Sequence, residues 1–275
     1  MAAIGTAGWS VPKAFASVFP TVGSHLERYA QRFTAVEINT SFYRPHRIAT
    51  YERWAEATPE HFRFAVKVPR TITHELRLEN ADAPLQQFMD EIAGLGPKLG
   101  PLLLQLPPTL RFDDRTSKAF LQAFRHAHAG SIVCEPRHAS WLAPSVDALL
   151  TKLRIARVAA DPAPMPGADE PGGWQGLRYY RLHGSPKIYY SAYEHHALDA
   201  IADRLAADAA RGCESWCIFD NTAAFAATGD ALSILERLGV PLSPSEPLSS
   251  TCANAKCNST QLRSDVDAAR FASQN

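Results

Sequence analysis

The chain has 275 residues, 46% of them hydrophobic, which is enough for one large domain with a sizeable core. Its 28 basic and 28 acidic residues balance, and this argues against broad electrostatic attraction to nucleic acid or to a membrane surface. The start MAAIGTAGWS has no basic region followed by an apolar run, and no stretch of about eighteen apolar residues occurs anywhere. We therefore expect a cytoplasmic protein that makes no membrane contact.

Eight short segments are predicted to be strands, because β-branched, leucine or aromatic residues dominate them and turn residues bound them. In chain order they cover residues 3–9, 35–43, 62–70, 101–108, 131–138, 155–161, 177–184 and 215–222. Amphipathic helical patterns lie between most of these segments; in SHLERYAQRF, for example, Leu26, Tyr29 and Phe33 fall on one face. Successive strands start about thirty residues apart, which is the size of one βα unit.

This alternation predicts an α/β fold with a parallel sheet. The most economical architecture is a closed (β/α)₈ TIM barrel, formed as a single domain by residues 1–241. An open doubly wound sheet is the competing architecture, but its glycine-rich phosphate turn is missing, since IGTAGW does not match G-x-G-x-x-G. The barrel is therefore the expected fold.

Two regions depart from the alternation. The sixth connection contains PAPMPGADEPGGW, whose prolines and glycines predict an irregular loop over the mouth of the barrel rather than a helix. Residues 242–275 show little apolar periodicity and are expected to form a disordered C-terminal tail outside the barrel. The cysteines show no paired metal-binding spacing, so reduced thiols are expected. They are Cys134, Cys213, Cys217, Cys252 and Cys257.

Polar side chains gather at the predicted carboxyl ends of the strands. In a barrel, alternate residues of each strand point inward, and those near the carboxyl ends line the active-site face. Buried charges need partners, water or a chemical role, because burying a lone carboxylate costs several kcal/mol. We therefore predict one shared polar pocket. Its candidate residues are Glu37, Asn39, Lys67, Arg70, Gln105, Glu135, Arg137, His138, Asp161, Arg181, His183 and Asn221.

Glu37, Glu135 and His183 are the candidate catalytic residues of this pocket. The two carboxylates suit a general acid/base pair, and His183 suits a proton carrier. The alternative is that each carboxylate forms an interior ion pair with a neighbouring lysine or arginine and only stabilises the barrel.

The other candidates are predicted to bind a ligand. Four cations, Lys67, Arg70, Arg137 and Arg181, could donate to phosphate or carboxylate, which predicts a small anionic ligand. The alternative is that they only balance the buried carboxylates. Trp9 and Tyr43 are candidates for stacking on a flat ligand such as a base or a sugar, the alternative being packing among the loops.

A divalent metal is a further interpretation of the pocket. Glu37, Glu135, Asp161 and His183 offer a mixed set of oxygen and nitrogen donors. No local signature such as H-E-x-x-H supports a metal site, and a basic mouth repels cations. A metal is therefore not favoured, and the sequence specifies no cofactor.

Seven blocks of the chain resemble a known family. In order, they are IGTAGW, VEINTSFYR, FAVKVPRTITH, GPLLLQLPP, EPRHASW, YYRLHG and FDNT. Together they resemble the YecE-like family, a domain-of-unknown-function family whose fold is a TIM barrel, over roughly Ala3 to Pro241. The resemblance implies this fold and a shared pocket, but it implies no reaction, because the family has no established activity.

The sequence thus predicts an enzyme, of the hydrolase or the lyase and isomerase type, that uses acid/base or electrostatic chemistry on a substrate bearing phosphate or carboxylate. One alternative is a metal-dependent phosphodiesterase or nuclease. Another is a non-catalytic protein that binds a nucleotide or a nucleic-acid-like ligand. Nothing in the sequence indicates a protein partner.

Overall fold

The structure is a computed structural model in which residues 2–240 are described. The expected tail, with Cys252 and Cys257, lies outside the described residues. The strands are β1 (Ala3–Thr6), β2 (Ala35–Ile38), β3 (Arg63–Lys67), β4 (Leu99–Gln105), β5 (Ile132–Glu135), β6 (Ile155–Arg157), β7 (Ala159–Asp161), β8 (Gly172–Gly173), β9 (Leu177–Leu182) and β10 (Glu214–Phe219). The α-helices are α1 (His25–Ala30), α2 (Ile48–Glu56), α3 (Asp82–Ile92), α4 (Thr116–Ala127), α5 (Pro144–Lys152), α6 (His195–Ala210) and α7 (Ala226–Arg237). Short 3₁₀ turns cover Lys13–Val18, Thr40–Phe42, Ala93–Lys98 and Ala139–Leu142, and a π turn covers Thr71–Glu75.

Two sheets carry the strands of residues 2–240. One has the order β1-β10-β9-β7, and the other has the order β2-β3-β4-β5-β6-β8. Neighbouring strands run parallel, except that β8 runs antiparallel to β6. The predicted α/β class with parallel sheets is therefore confirmed, and each predicted strand segment overlaps an observed strand.

The strand pairing within residues 2–240 does not close a barrel. A single bridge, from Ala7 to Glu37, joins the β1 segment to β2 where a closed barrel has a continuous ladder. The sixth predicted strand is interrupted at Val158, and its two parts, β6 and β7, pair with strands of different sheets. The observed hydrogen bonds thus do not confirm the expected closed (β/α)₈ barrel.

The second predicted strand ends earlier than expected. β2 stops at Ile38, and a 3₁₀ turn follows at once, so Asn39 precedes this turn and is not a strand residue. The hydroxyl of Ser41 lies 3.0 Å from the carbonyl oxygen of Ile38 and 2.7 Å from that of Lys67. Such local bonds from a serine compete with continuation of a strand. The chain therefore turns directly after β2.

The connection after the sixth predicted strand is irregular, as expected, and its second half runs back along the strands. The amide of Ala160 donates to the carbonyl of Ala168 at 2.8 Å, and the amide of Trp174 donates to that of Ile155 at 2.9 Å. The loop therefore runs back along β7 and β6, where its β8 segment pairs with β6. A Cβ on Gly173 would lie 2.6 Å from the carbonyl oxygen of Ile155, and its φ is +62°, so this approach requires glycine.

An apolar cluster drawn from both sheets lies beneath the predicted pocket. Its buried members are Ala35, Ala65, Leu103, Val133, Ala156, Val158, Leu177, Tyr179, Trp216 and Ile218. The polar candidates Glu37, Lys67 and Arg181 each follow a member of this cluster by two positions. Because side chains alternate along a strand, these polar residues lie on the same side as the cluster, one layer nearer the carboxyl ends.

β1 and β2 approach closely where the two sheets meet. A Cβ on Gly5 would lie 2.1 Å from the carbonyl oxygen of Ala35, so only glycine fits there. The buried hydroxyl of Tyr29, from α1, accepts a hydrogen bond from the amide of Thr6 at 2.8 Å and donates to the carbonyl of Ala35 at 3.2 Å. This hydroxyl therefore joins the two strands on the N-terminal side of the bridge between Ala7 and Glu37.

Replacing the bridging hydroxyl should weaken this junction. Tyr29→Phe is expected to lower the free energy of unfolding by about 1–3 kcal/mol, because the Thr6 amide loses its buried partner. Tyr190→Phe, at a tyrosine that is 37% exposed, is the matched control and should change the value by less than about 0.5 kcal/mol. Urea unfolding at pH 7 measures both. Equal values for the two variants would contradict a bridging role.

Candidate functional site

The guanidinium of Arg181 is the centre of the predicted pocket. Arg181 belongs to β9 and is fully buried. Its Nε lies 3.1 Å from Oε2 of Glu37, and its Nη2 lies 2.8 Å from Oε1 of the same residue. Nη1 donates to Oε2 of Glu135 at 3.2 Å, and Nη2 contacts Oδ2 of Asp220 at 2.9 Å. One guanidinium thus joins carboxylates from β2, β5 and the end of β10. We call Glu37, Glu135, Arg181, His183 and Asp220 the Arg181 cluster.

The charged groups of the Arg181 cluster stabilise one another in their ionised forms. Burial alone would lower the pKa of Arg181, but its three carboxylate partners hold that pKa well above its usual value. Burial would raise the pKa of Glu135, yet Arg181, Arg137 and the hydrogen bond to His183 hold it well below its usual range. The pKa of Asp220 falls to about 2, because Arg181 and His183 outweigh its burial. Glu135 and Asp220 are therefore carboxylates at neutral pH, which suits them to anchor cations rather than to donate protons.

His183 lies between two of these carboxylates. Its Nε2 lies 3.2 Å from Oε1 of Glu135, and its Nδ1 lies 3.1 Å from Oδ2 of Asp220. The edge of the imidazole contacts Tyr189, with ring centroids 5.6 Å apart. A neutral imidazole has one N–H, so only the imidazolium can donate to both carboxylates at once. The two carboxylates therefore fix the orientation of a ring that can carry a proton.

Glu37 is enclosed by its partners. It is fully buried, both of its oxygens contact Arg181, and the hydroxyl of Tyr179 donates to its Oε2 at 2.9 Å. These contacts satisfy the buried carboxylate of Glu37 without a substrate. Within the described residues, Glu37 acts through Arg181, which it holds in place.

Lys67 differs from the arginines of the pocket. It ends β3, it is 5% exposed, and its Nζ lies 4.0 Å from the centroid of the Phe42 ring. Among residues 2–240, this Nζ makes no ion pair and no hydrogen bond. Burial, followed by the charge of Arg181, lowers its pKa to about 8, against the opposing effect of the carboxylates. Lys67 is thus a nearly buried amine without a direct counter-charge.

Further cations lie near Lys67, on the side of the Arg181 cluster where Tyr43, Arg70 and Arg137 are partly exposed; we call this side the opening. His74 packs edge-on against Phe42 with ring centroids 5.0 Å apart. Burial, then the charges of Lys67, Arg70 and Arg137, lower the pKa of His74 to about 4. His74 is therefore neutral at pH 7.

Two arginines of the opening remain accessible. The side chain of Arg137 is 24% exposed, and its Nη2 donates to Oε1 of Glu135 at 3.1 Å and to the hydroxyl of Tyr189 at 3.3 Å. The side chain of Arg70 is 44% exposed and pairs with Glu75 at 3.1 Å. The opening therefore has one arginine, Arg137, that the Arg181 cluster holds in place, and a second, Arg70, that lies at the surface.

Three uncharged candidates also lie around the cluster. Nε2 of Gln105 lies 3.5 Å from Oε1 of Glu135. Oδ1 of Asn39 is buried and has no hydrogen-bond partner within residues 2–240. Tyr43 is 44% exposed, and its ring lies edge-on to Phe42 at 5.0 Å. Gln105 therefore contacts the Arg181 cluster directly, and Asn39 leaves one buried acceptor without a partner in this range.

Two further candidates have partners away from the Arg181 cluster. Trp9 packs edge-on against Trp54 of α2 with ring centroids 5.0 Å apart. Nδ1 of His138 accepts a hydrogen bond from the amide of Ser140 at 3.1 Å, so His138 caps the 3₁₀ turn Ala139–Leu142.

Asp161 and Asn221 also face other groups. Oδ1 of Asp161 accepts a hydrogen bond from the hydroxyl of Tyr193 at 2.9 Å. Nδ2 of Asn221 donates to Oδ2 of Asp230, a residue of α7, at 2.7 Å. The buried Oδ1 of Asn221 has no hydrogen-bond partner within residues 2–240.

Sequence reasoning missed three residues of the site, namely Asp220, Tyr179 and Tyr189. Asp220 follows Trp216 and Ile218 of the apolar cluster at two-residue steps, so strand alternation places it on their side of the strand. Asn221, which the sequence analysis selected, falls on the opposite side. Strand parity could therefore have selected Asp220. Nothing in the sequence marks Tyr189, because its position depends on the loop after β9, where its φ is +69°.

Other features of residues 2–240 add no competing site of known chemistry. No group of three or more His, Cys, Asp or Glu side chains in this range is arranged to hold a metal ion. Two surface depressions, of about 530 Å³ and about 380 Å³, contain no residue of the Arg181 cluster. No helix in the same part of the chain is long and apolar enough to cross a membrane.

Removing the central guanidinium should be strongly destabilising. Arg181→Met leaves three buried carboxylates without their main counter-charge, so we expect the free energy of unfolding at pH 7 to fall by about 3–5 kcal/mol. Arg204→Met is the control, because Arg204 forms an ion pair with Glu170 in which both side chains are about half exposed or more; it should cost less than about 1 kcal/mol.

The loss caused by Arg181→Met should also depend on pH. Glu135 and Asp220 have lowered pKa values in the folded state, so their contribution to stability is complete above their ordinary pKa values and disappears as the pH falls toward 2. The difference between wild type and variant should therefore be larger at pH 7 than at pH 3.5 in urea titrations. A difference that does not vary with pH would contradict the assigned ion pairs.

Comparison with known proteins identifies the family to which this chain belongs. Residues 3–251 match the family described as "Protein of unknown function DUF72". The chain is similar to UPF0759 protein YecE of Escherichia coli K12, with 37% identity over 107 residues that cover 38% of each protein. It is also similar to UPF0759 protein YunF of Bacillus subtilis 168, with 31% identity over 150 residues that cover 51% of this chain and 52% of YunF. The chain thus spans about two fifths of YecE and half of YunF in these matches.

Two solved structures share the fold. A DUF72 family protein from Enterococcus faecalis V583 superimposes with a TM-score of 0.75 and 22% identity, over 90% of this chain and 100% of that one. A DUF72 family protein from Thermotoga maritima MSB8 gives a TM-score of 0.69 and 22% identity, over 87% of this chain and 99% of that one. The resemblance predicted from the seven sequence blocks is confirmed: the chain belongs to the DUF72 family, whose members include YecE-like proteins.

Proposed function

We propose that the Arg181 cluster and the cations above it form the pocket of an enzyme that acts on a small molecule bearing phosphate or carboxylate. The observation that carries this proposal is Lys67, a nearly buried ammonium with no ion pair or hydrogen bond among residues 2–240. A buried charge without a partner is costly, so an anionic ligand is the counter-charge that Lys67 lacks.

Arg137 supports the same proposal. Its Nε and Nη2 lie 3.3 Å and 3.1 Å from Oε1 of Glu135, which fixes the plane of the guanidinium while part of it stays exposed. A fixed guanidinium matches the geometry of phosphate and carboxylate oxygens. Arg181, Arg137 and Lys67 together balance the charge of the three carboxylates Glu37, Glu135 and Asp220, which limits the repulsion of an incoming anion.

The chemistry that this pocket suits is proton transfer at a bound anion, as in a hydrolase or in a lyase or isomerase. His183 would carry the proton, since Glu135 and Asp220 hold its ring nitrogens. In this proposal Glu37 and Glu135 are positioning residues rather than groups that touch the substrate. The unpartnered Oδ1 of Asn39 would accept a hydrogen bond from a hydroxyl of the ligand.

We further propose that the two sheets form the wall of one (β/α)₈ barrel. Arg181 of the four-stranded sheet contacts Glu37 and Glu135 of the six-stranded sheet, and the apolar cluster below them draws on both sheets. The single bridge between Ala7 and Glu37 lies where the wall would close. An experimental structure with continuous pairing between β1 and β2 would test this proposal.

A cytoplasmic location is also proposed, from the state of the thiols. Cys134, Cys213 and Cys217 are unpaired in the described part of the chain, as is usual in a reducing compartment. Thiol titration of protein isolated under non-reducing conditions tests this proposal, and recovery of disulfides would contradict it.

Anion binding should be detectable without knowledge of the substrate. We expect phosphate, sulfate and small carboxylates to raise the melting temperature of the wild type in a thermal-shift screen, because a ligand stabilises only the form that binds it. Lys67→Met and Arg137→Met should each reduce the shift, whereas Lys118→Met, at an exposed position on α4, should leave it unchanged. Equal shifts in all variants would overturn the proposal.

A preference for nucleotides over all small anions, without turnover, would instead favour a non-catalytic binding protein. In that case the aromatic side chains at the opening, Tyr43 and Tyr189, would supply the stacking surface.

The affinity for sulfate should fall as the pH rises from 7 to 9. Lys67 loses its proton near pH 8, and sulfate keeps the same charge throughout this range. Isothermal titration calorimetry should therefore give a sulfate affinity about tenfold lower at pH 9 than at pH 7 for the wild type. Lys67→Met should bind more weakly, with no such pH dependence; a parallel decline in this variant would exclude Lys67 as the titrating group.

A further inference from the structure

Lys67 has the placement of a reactive amine rather than that of a structural cation. Three carboxylates lie in the Arg181 cluster, yet all of them are bound by Arg181 and, for Glu135 and Asp220, also by His183. Within residues 2–240, none forms an ion pair with Lys67. A lysine that only balanced charge would contact one of these carboxylates.

The surroundings of Lys67 hold its backbone and provide an apolar surface beside its amine. The residue is the last of β3, and the hydroxyl of Ser41 lies 2.7 Å from its carbonyl oxygen, which joins this strand end to the turn after β2. The Nζ lies 4.0 Å from the centroid of the Phe42 ring, which forms an apolar wall on one side of the amine. The nitrogen therefore lies in a largely buried, partly apolar environment without a direct counter-charge.

This environment favours the neutral amine. Burial and the charge of Arg181 lower the pKa of Lys67 to about 8. An ordinary lysine has a pKa of about 10.4, so at pH 7.5 Lys67 has on the order of a hundred times more neutral amine. A desolvated lysine of this kind is a nucleophile for carbonyl carbons.

We propose that Nζ of Lys67 forms an imine with the aldehyde or keto group of a ligand that also bears a carboxylate or a phosphate. This inference rests on the proposed anion pocket, since Arg137 would hold the anionic group while Lys67 reaches the carbonyl. The lone pair of the neutral amine attacks the carbonyl carbon, and the electron pair of the C=O bond moves to oxygen, which takes a proton. The nitrogen gives up one proton, which yields the neutral carbinolamine. Its oxygen then takes a second proton and leaves as water, while the lone pair of the nitrogen forms the C=N bond. The iminium nitrogen returns one proton to solvent, so the amine and the carbonyl compound give the imine and one water.

The inference selects a substrate class, namely 2-oxo acids and phosphorylated aldehydes or ketones. An imine withdraws electrons from the neighbouring carbon, and His183 is the group of the Arg181 cluster suited to move a proton there. No oxidant, reductant or metal is needed for these steps.

Borohydride trapping tests the inference on the full-length protein. Glyoxylate carries an aldehyde and a carboxylate, and glycolaldehyde is its neutral counterpart. Each is incubated with the protein at pH 7.5, the imine is reduced with cyanoborohydride, and modified lysines are identified by peptide mass spectrometry. We expect glyoxylate to label Lys67 at least about tenfold faster than the exposed Lys118. We also expect glyoxylate to label Lys67 faster than glycolaldehyde does, and inorganic phosphate to suppress this labelling.

The outcomes separate this inference from the proposed anion pocket. Stabilisation by phosphate with no faster labelling of Lys67 than of Lys118 overturns the imine inference and leaves the anion pocket standing. Rapid labelling of Lys67 by both aldehydes alike, with no protection by phosphate, supports the amine as nucleophile and overturns the anion pocket.

Lys67→Arg adds an independent control, because arginine keeps the positive charge but cannot form the imine. It should retain the phosphate-induced thermal shift and lose the labelled peptide. Should this variant fail to fold, the phosphate-protection experiment on the wild type still decides the question.

Discussion

The structure depends on a single buried guanidinium. Arg181 is fully buried, and it meets carboxylates from three different strands or strand ends. Removing so many charges from water is costly, and the cost is offset only when the geometry of the partners is good and all donors are used. A planar fork with five N–H groups can serve Glu37, Glu135 and Asp220 at once, which the point charge of a lysine cannot do.

This interaction also holds the two sheets together. Arg181 and Tyr179 come from β9, and their partner Glu37 comes from β2 of the other sheet. Below this layer, small residues such as Ala35 and Ala65 leave space for the stacked rings of Tyr179 and Trp216, whose centroids lie 6.0 Å apart. The polar layer and the apolar layer therefore stabilise the same junction by different means, one by charge pairing and one by packing.

The pairing in the Arg181 cluster determines which groups are left for chemistry. The carboxylates are committed to Arg181, Arg137 and His183, so their lone pairs are used within the protein. The cations toward the opening are not committed to the same extent, and burial together with their mutual repulsion lowers the pKa values of Lys67 and His74. In our proposal, the acidic residues therefore hold the site together, and the basic residues meet the ligand.

The sequence by itself determined the α/β class, the positions of the parallel strands and the gathering of Glu37, Lys67, Glu135, Arg181 and His183, because strand alternation and strand-end polarity are local properties of the chain. Only the tertiary structure decided which of these charges pair. It added Asp220 to the Arg181 cluster, paired His138 with Ser140 and Asp161 with Tyr193, and placed the second half of the sixth connection along β7 and β6. Such choices depend on distances between strands that are far apart in sequence, and the energy of an ion pair or hydrogen bond depends on those distances and on burial, neither of which a local pattern contains.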